Sequence, residues 1–187
     1  MQLAFDSRRK GSTTLERAHP GAKFIDVTSK GVEPWVRLSP FYPHEGLPVP
    51  FSPDHSAASV EGVWQGLKVF ESCDVDVGKF EVRTMRGIKR TVRKFGPVLG
   101  HRQGVTGDTI LNYLEARRTI YLPTYRYILE HSAASVVGEL RSLATRQPLV
   151  LLDYETNGDI EDLRRPLSHA SLVVAYLQDR WPADATR

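Results

Sequence analysis

The chain has 187 residues, 41% of them apolar and 25% charged, with a formal net charge of +3 and one cysteine. That suits one soluble domain, 1–187, with a buried core. It excludes a membrane helix, since no run approaches the roughly 18 apolar residues one needs. It also excludes an internal disulfide or a cysteine-rich zinc centre, and the start MQLAFDSRRKGS lacks the build of a secretory signal, so a cytoplasmic location is expected.

LAFD, STTLERAHPG and KFIDVTS read as strand, short helix and strand, a βαβ-like extension over residues 1–35. From Pro34 to Pro53 prolines forbid helix, while Trp35, Phe41, Tyr42 and Phe51 argue for an ordered extended loop. SVEGVWQGLKVF then predicts a helix over 59–70, capped by Ser56 or Ser59, with Glu61 in its first turn where the dipole favours a carboxylate. In ESCDVDVG, Cys73 lies among Glu71, Asp74 and Asp76, which disfavour a thiolate and mark a structural cysteine.

No acidic residue stands between Glu81 and Asp108. Arg86, Lys89, Arg90, Arg93 and Lys94 would share one broad face of a helix, suited to phosphates of a nucleic acid or a dinucleotide. The glycine-rich GPVLGHRQGVTG is neither a P-loop nor a dinucleotide turn. A helix is expected from Asp108 or Thr109, broken or kinked at Pro123, with a second helical pattern through YRYILEHSAASVVGELRSLA. LVLLDY is a buried strand, and SHASLVVAYLQDRW a helix capped by Ser168. The order suggests an α+β fold, predominantly helical with a small β-sheet.

On a helix, Glu61, Gln65 and Lys68 fall within an arc of about 60°. This narrow polar stripe is flanked by apolar Val60, Val63, Trp64, Leu67 and Phe70, with Gly62 and Gly66 on a third arc that admits another backbone. A solvated face is the plainer explanation for such a stripe; its small and apolar flanks, and the aromatic loop before it, point instead to the wall of a site.

Phe41-Tyr42-Pro43, followed by S-V-E-x-x-x-Q-x-x-K at Ser59, Val60, Glu61, Gln65 and Lys68, resembles the signature of the NADAR (YbiA-like) family, with Pro40 where that family usually carries Asn. The resemblance runs from Leu38 to Phe70. It implies a mainly helical fold and hydrolysis of an N-glycosidic bond in an ADP-ribose conjugate or a ribosylamine nucleotide, with no cofactor. Such cleavage passes through an oxocarbenium-like centre and needs a carboxylate to stabilise it or to activate water. Glu61 fits that role. Lys68 would hold a diphosphate, protonate the departing base or attack the anomeric carbon as an amine. Gln65 would orient Glu61 or a ribose hydroxyl, and Tyr42 or Trp64 would stack on a base, although plain packing explains Trp64 more simply.

Three further groups are weaker candidates. DYETNGDIEDLR, 153–164, begins like a calcium loop but has Arg164 at its twelfth position and a strand before it, so a turn explains Asn157-Gly158 better and no metal is expected. Asp153 and Glu155, at a strand's C-terminal end, remain binding candidates. His169, in the first turn of the last helix, would have its pKa lowered by the dipole and stay neutral, able to donate or accept a proton, although a surface or capping histidine is the plainer explanation. Tyr113, Tyr121, Tyr125 and Tyr127, interleaved with Arg117, Arg118 and Arg126, either pack or form a stacking platform. A non-catalytic module that binds nucleic acid or ADP-ribose through Arg90 and Arg93 is the alternative function.

Overall fold

The computed structural model describes residues 2–182. In chain order its elements are β1 Leu3–Ser7, α1 Ser12–Ala18, β2 Lys23–Asp26, β3 Leu47–Val49, β4 Ser52–Ala57, α2 Val60–Gly66, β5 Lys68–Phe70, α3 Val92–Phe95, β6 Val98–Arg102, β7 Ile110–Leu111, α4 Tyr113–Ala116, α5 Leu122–Glu130, α6 Ala134–Arg146, β8 Leu149–Asp153 and α7 His169–Leu177. Helix and strand are mixed, with small sheets, as an α+β architecture requires. No helix among the described residues is long and apolar enough to cross a membrane. The chain divides into two compact units, residues 2–39 with 129–182, and residues 40–128.

In the first unit β1, α1 and β2 form the expected strand–helix–strand run, but the two strands do not pair. The distant β8 lies between them, parallel to both, with Leu3 opposite Leu149, Ser7 opposite Asp153 and Asp26 opposite Leu152. A middle strand covered on both faces must be apolar throughout, and β8 is buried at Leu149, Val150, Leu151 and Asp153. α7 packs on β1 and β8 and buries Ala170, Leu172, Val173, Val174 and Leu177. Its N-cap is Ser168, whose hydroxyl accepts the Ser171 N–H, as its sequence predicts. The single helical pattern expected to follow Pro123 is two helices, α5 and α6, separated at residues 131–133.

The second unit is built around α2, all seven of whose residues are buried. Ser59 caps it by accepting the Gly62 N–H at 3.0 Å. Both glycines are required by close approach: a Cβ at Gly62 would stand 2.8 Å from the Lys79 carbonyl oxygen, and one at Gly66 would collide with the Phe80 ring. Val63, Trp64 and Leu67 join Val49, Ala57, Phe80, Leu111, Ala116 and Ile120 in one core.

Several sequence expectations are corrected in this unit. The helix predicted over 59–70 stops at Gly66, and residues 68–70 become β5 because they pair with β6. Lys68 therefore stands on a strand. The basic stretch is helical only at 92–95, so Arg86, Lys89, Arg90, Arg93 and Lys94 share no helical face. The glycine-rich segment supplies β6, and the helix expected at 108 or 109 starts at Tyr113, where Asn112 and Glu115 form a capping box. The proline-rich segment, whose first residues belong to the first unit, holds a 3₁₀ turn at Trp35–Leu38 there and strand β3 in the second unit. Before Pro123 the chain widens into a π-turn, Arg117–Tyr121. The proline has no N–H to give the preceding turn; the hydroxyls of Thr119 and Thr124 donate to the carbonyls of Glu115 and Ile120.

Candidate active site

α2 presents its acid through a chain of hydrogen bonds. Glu61 is only 7% exposed. The Gln65 side-chain amide, one turn on, donates to Glu61 Oε1 at 2.8 Å, and Gln65 Oε1 accepts the Arg90 backbone N–H at 2.9 Å. These two bonds fix which way the amide faces. The Glu61 N–H donates to the Pro40 carbonyl at 2.8 Å, while the N–H groups of His44 and Glu45 donate to the Ala58 carbonyl. The Phe41-Tyr42-Pro43 loop is thereby clamped to the start of α2, with the half-buried Tyr42 ring 4.9 Å from that of His44.

Lys68, first residue of β5, is half-buried. Its ammonium lies 6.0 Å from the centroid of the Trp64 ring and makes no hydrogen bond or ion pair among the described residues. Burial lowers its pKa, the Glu61 charge raises it, and the positive charges of Lys89 and Arg90 lower it further. The result is an ammonium that surrenders its proton more readily than an ordinary lysine, held near a buried carboxylate.

Arg90 is not a phosphate ligand in this arrangement. It is 5% exposed, and its guanidinium donates to the carbonyls of Gln65 (3.2 Å), Lys68 (2.6 Å) and Asp74 (2.7 Å) and to Cys73 Sγ (2.9 Å). Arginine's planar fork suits such multiple bonding, and here it splints the joint between α2 and β5. Arg93 is exposed on α3. Lys89 is exposed as well, its ammonium 5.4 Å from the Phe41 centroid.

Trp64 is the hub of an aromatic cluster, with Tyr113 at 5.7 Å and Tyr121 at 5.6 Å, both edge-on. Tyr121 stacks on Tyr125 at 6.0 Å, and the Arg117 guanidinium lies 4.6 Å from the Tyr113 centroid. Tyr125 is fully buried, so packing is its role. Sequence reasoning missed His101, whose ring centroid lies 3.7 Å from that of Trp64. His101 belongs to β6 and stands opposite Lys68. The available signal was a histidine within the glycine-rich GPVLGHRQGVTG.

Asp153, Glu155 and His169 lie in the first unit. Asp153 Oδ2 is 2.9 Å from His169 Nδ1 and accepts the Ser168 hydroxyl at 2.8 Å, while Oδ1 accepts the Tyr154 N–H at 2.7 Å. The other His169 nitrogen meets the Val27 carbonyl at 2.9 Å. Both ring nitrogens thus face acceptors. Burial disfavours the imidazolium, but the charge and hydrogen bond of Asp153 outweigh it and raise the pKa. The expectation of a lowered His169 pKa is corrected by this pairing, which raises it. Burial likewise opposes the Asp153 carboxylate, yet His169, Ser168 and the Ala170 N–H bring its pKa down to about 2. Glu155 is half-buried, 4.0 Å from Arg9.

Residues 7–173 match a family described as a family of unknown function (DUF6939), and the chain belongs to it. No curated protein and no solved structure matches the chain.

Proposed function

We propose that this member of DUF6939 is a cytoplasmic, NADAR-like hydrolase that cleaves the N-glycosidic bond of an ADP-ribose conjugate, such as an ADP-ribosylated base, or of a ribosylamine nucleotide. The observation that carries the reading is the buried Glu61, oriented by Gln65 and electrostatically coupled to Lys68. The resemblance through Phe41-Tyr42-Pro43 and S-V-E-x-x-x-Q-x-x-K supports the same reading. As the C1′–N bond breaks, the Glu61 carboxylate stabilises the positive charge growing on the ribose. Lys68, whose lowered pKa suits it to proton donation, protonates the departing nitrogen. Water then forms the new C1′–O bond and gives its proton to Glu61, from which it returns to Lys68.

The test is incubation with ADP-ribosylated guanine nucleic acid and a panel of nucleoside phosphates, with released base or ADP-ribose read by mass spectrometry. Glu61→Gln should abolish release while binding survives. No release from any substrate overturns the reading. A non-catalytic module that binds nucleic acid is the second reading, favoured by the exposed Arg83, Arg86, Lys89, Arg93 and Lys94. Binding that falls steeply with salt and with loss of Arg93, without turnover, would establish it.

A further inference from the structure

The basic segment from Arg83 to Arg90 lies along the candidate site. At one end the Arg83 guanidinium meets the Glu45 carboxylate at 3.1 Å, and at the other the Lys89 ammonium lies 5.4 Å from the centroid of the Phe41 ring. The segment thus runs beside the loop from Phe41 to Glu45, which backbone hydrogen bonds clamp to the start of α2. It is itself held at several points. The Lys79 ammonium donates to the Gly87 carbonyl at 3.0 Å, Ile88 is 1% exposed, and Arg90 is tied to Gln65 and Lys68. Lys89, between the buried Ile88 and Arg90, is exposed.

We propose that Lys89 is a specificity-determining residue that binds a phosphate of the substrate beside Lys68. The proposal rests on the ADP-ribose-type reading given above and names the part of that ligand this segment takes. Charge selects it. The Lys68 ammonium feels one carboxylate, Glu61, and two cations, Lys89 and Arg90, so three positive groups share this region with one negative one. A neutral sugar leaves that excess in place, whereas a phosphate offsets it. Arg90 commits its guanidinium to carbonyls and to Cys73 Sγ, and Lys68 is the proton donor of the proposed reaction. Lys89 is the cation of the three that solvent, and therefore an incoming anion, reaches fully. A lysine serves a phosphate as a point charge with no fixed geometry. Its backbone is already ordered by its neighbours, so less freedom is lost when the contact forms.

Calorimetric titration of the full chain with ADP-ribose, and with adenosine as a ligand that has no phosphate, tests this. Lys89→Ala should weaken ADP-ribose binding by about tenfold, the size of one charge-assisted hydrogen bond, and Lys89→Arg should restore most of it. Adenosine should bind the wild type and Lys89→Ala alike. Arg86→Ala removes the same charge from the same segment and should weaken ADP-ribose binding by less than about twofold, because an exposed charge away from the contact is screened. No loss in Lys89→Ala, a loss that Lys89→Arg does not restore, an equal loss for adenosine, or an equal loss in Arg86→Ala overturns the assignment. So does a wild type that does not bind ADP-ribose. The two readings fail separately. Base release from the substrate panel with ADP-ribose affinity indifferent to Lys89 leaves the glycosidase standing and removes the phosphate contact. Lys89-dependent binding without release from any substrate keeps the contact and removes the glycosidase.

Discussion

Each unit of this protein holds a buried carboxylate beside a basic group, Asp153 with the buried His169 and Glu61 with the half-buried Lys68, and the two are finished differently. In the first, the carboxylate has His169, Ser168 and two backbone N–H groups, and the second imidazole nitrogen has the Val27 carbonyl. In the second, Glu61 is held by Gln65, but the Lys68 ammonium and the His101 ring keep unmet hydrogen-bonding capacity. A closed network resists change and specifies one structure. Where a ring nitrogen as deep as those of His101 lacks a partner, the network carries a standing cost. The two carboxylates are buried alike, and what separates their surroundings is the completeness of hydrogen bonding.

The comparison is broken or sharpened most severely by Glu61→Gln. Turnover should fall by about 10²–10⁴-fold, the usual contribution of a positioned acid or base, with the urea unfolding midpoint little changed. Asp153→Ala should do the reverse: about 3–5 kcal/mol of stability lost, as when one partner of a buried pair is removed, and normal turnover per folded molecule. If both substitutions depress stability alike, the contrast fails.

Arg90→Met comes next. It strips donors from the carbonyls of Gln65, Lys68 and Asp74, and should lower stability by about 1–3 kcal/mol together with activity, because the guanidinium joins the backbone of α2 at Gln65 to that of β5 at Lys68.

The pH dependence of thermal unfolding gives a smaller effect. The lowered pKa of Asp153 contributes stability that is present above its ordinary value of 3.8 and lost as pH falls toward about 2. The raised pKa of His169 contributes stability that is present below its ordinary value of 6.5 and lost as pH rises through the raised one. Melting temperature should therefore be highest between these ordinary values. His169→Phe should flatten the alkaline side of that profile. Arg93→Ala, at an exposed position, should change stability by less than about 0.5 kcal/mol.

Local signals made part of this legible. Continuous apolarity marked β8, a serine followed by an apolar run marked the start of α7, and Ser59 marked the start of α2. Non-local pairing hid the rest. Residues 68–70 follow a helical pattern as well as a strand pattern, and only β6, some thirty residues on, decides for the strand. Arg90 reads as one more surface cation within a basic run, yet it lies inside because three carbonyls converge on it. His169 reads as a helix-start histidine with a lowered pKa; the insertion of β8 between β1 and β2 brings Asp153 against it and reverses the shift. Of the candidate site, only the Glu61–Gln65 contact was readable from helical spacing, whereas Lys68, on β5, and His101, on β6, depended on strand pairing.

Arg90 bonds the carbonyls of Gln65 and Lys68, on either side of Leu67. The point where helix gives way to strand is therefore braced rather than hinged. The backbone of Lys68 is placed relative to α2 by this brace instead of by helical pitch, and any motion that opened the joint would have to break the guanidinium's bonds first. Slow exchange of the Arg90 amide proton would mark that rigidity, and its loss would be the earliest sign of the two groups drifting apart.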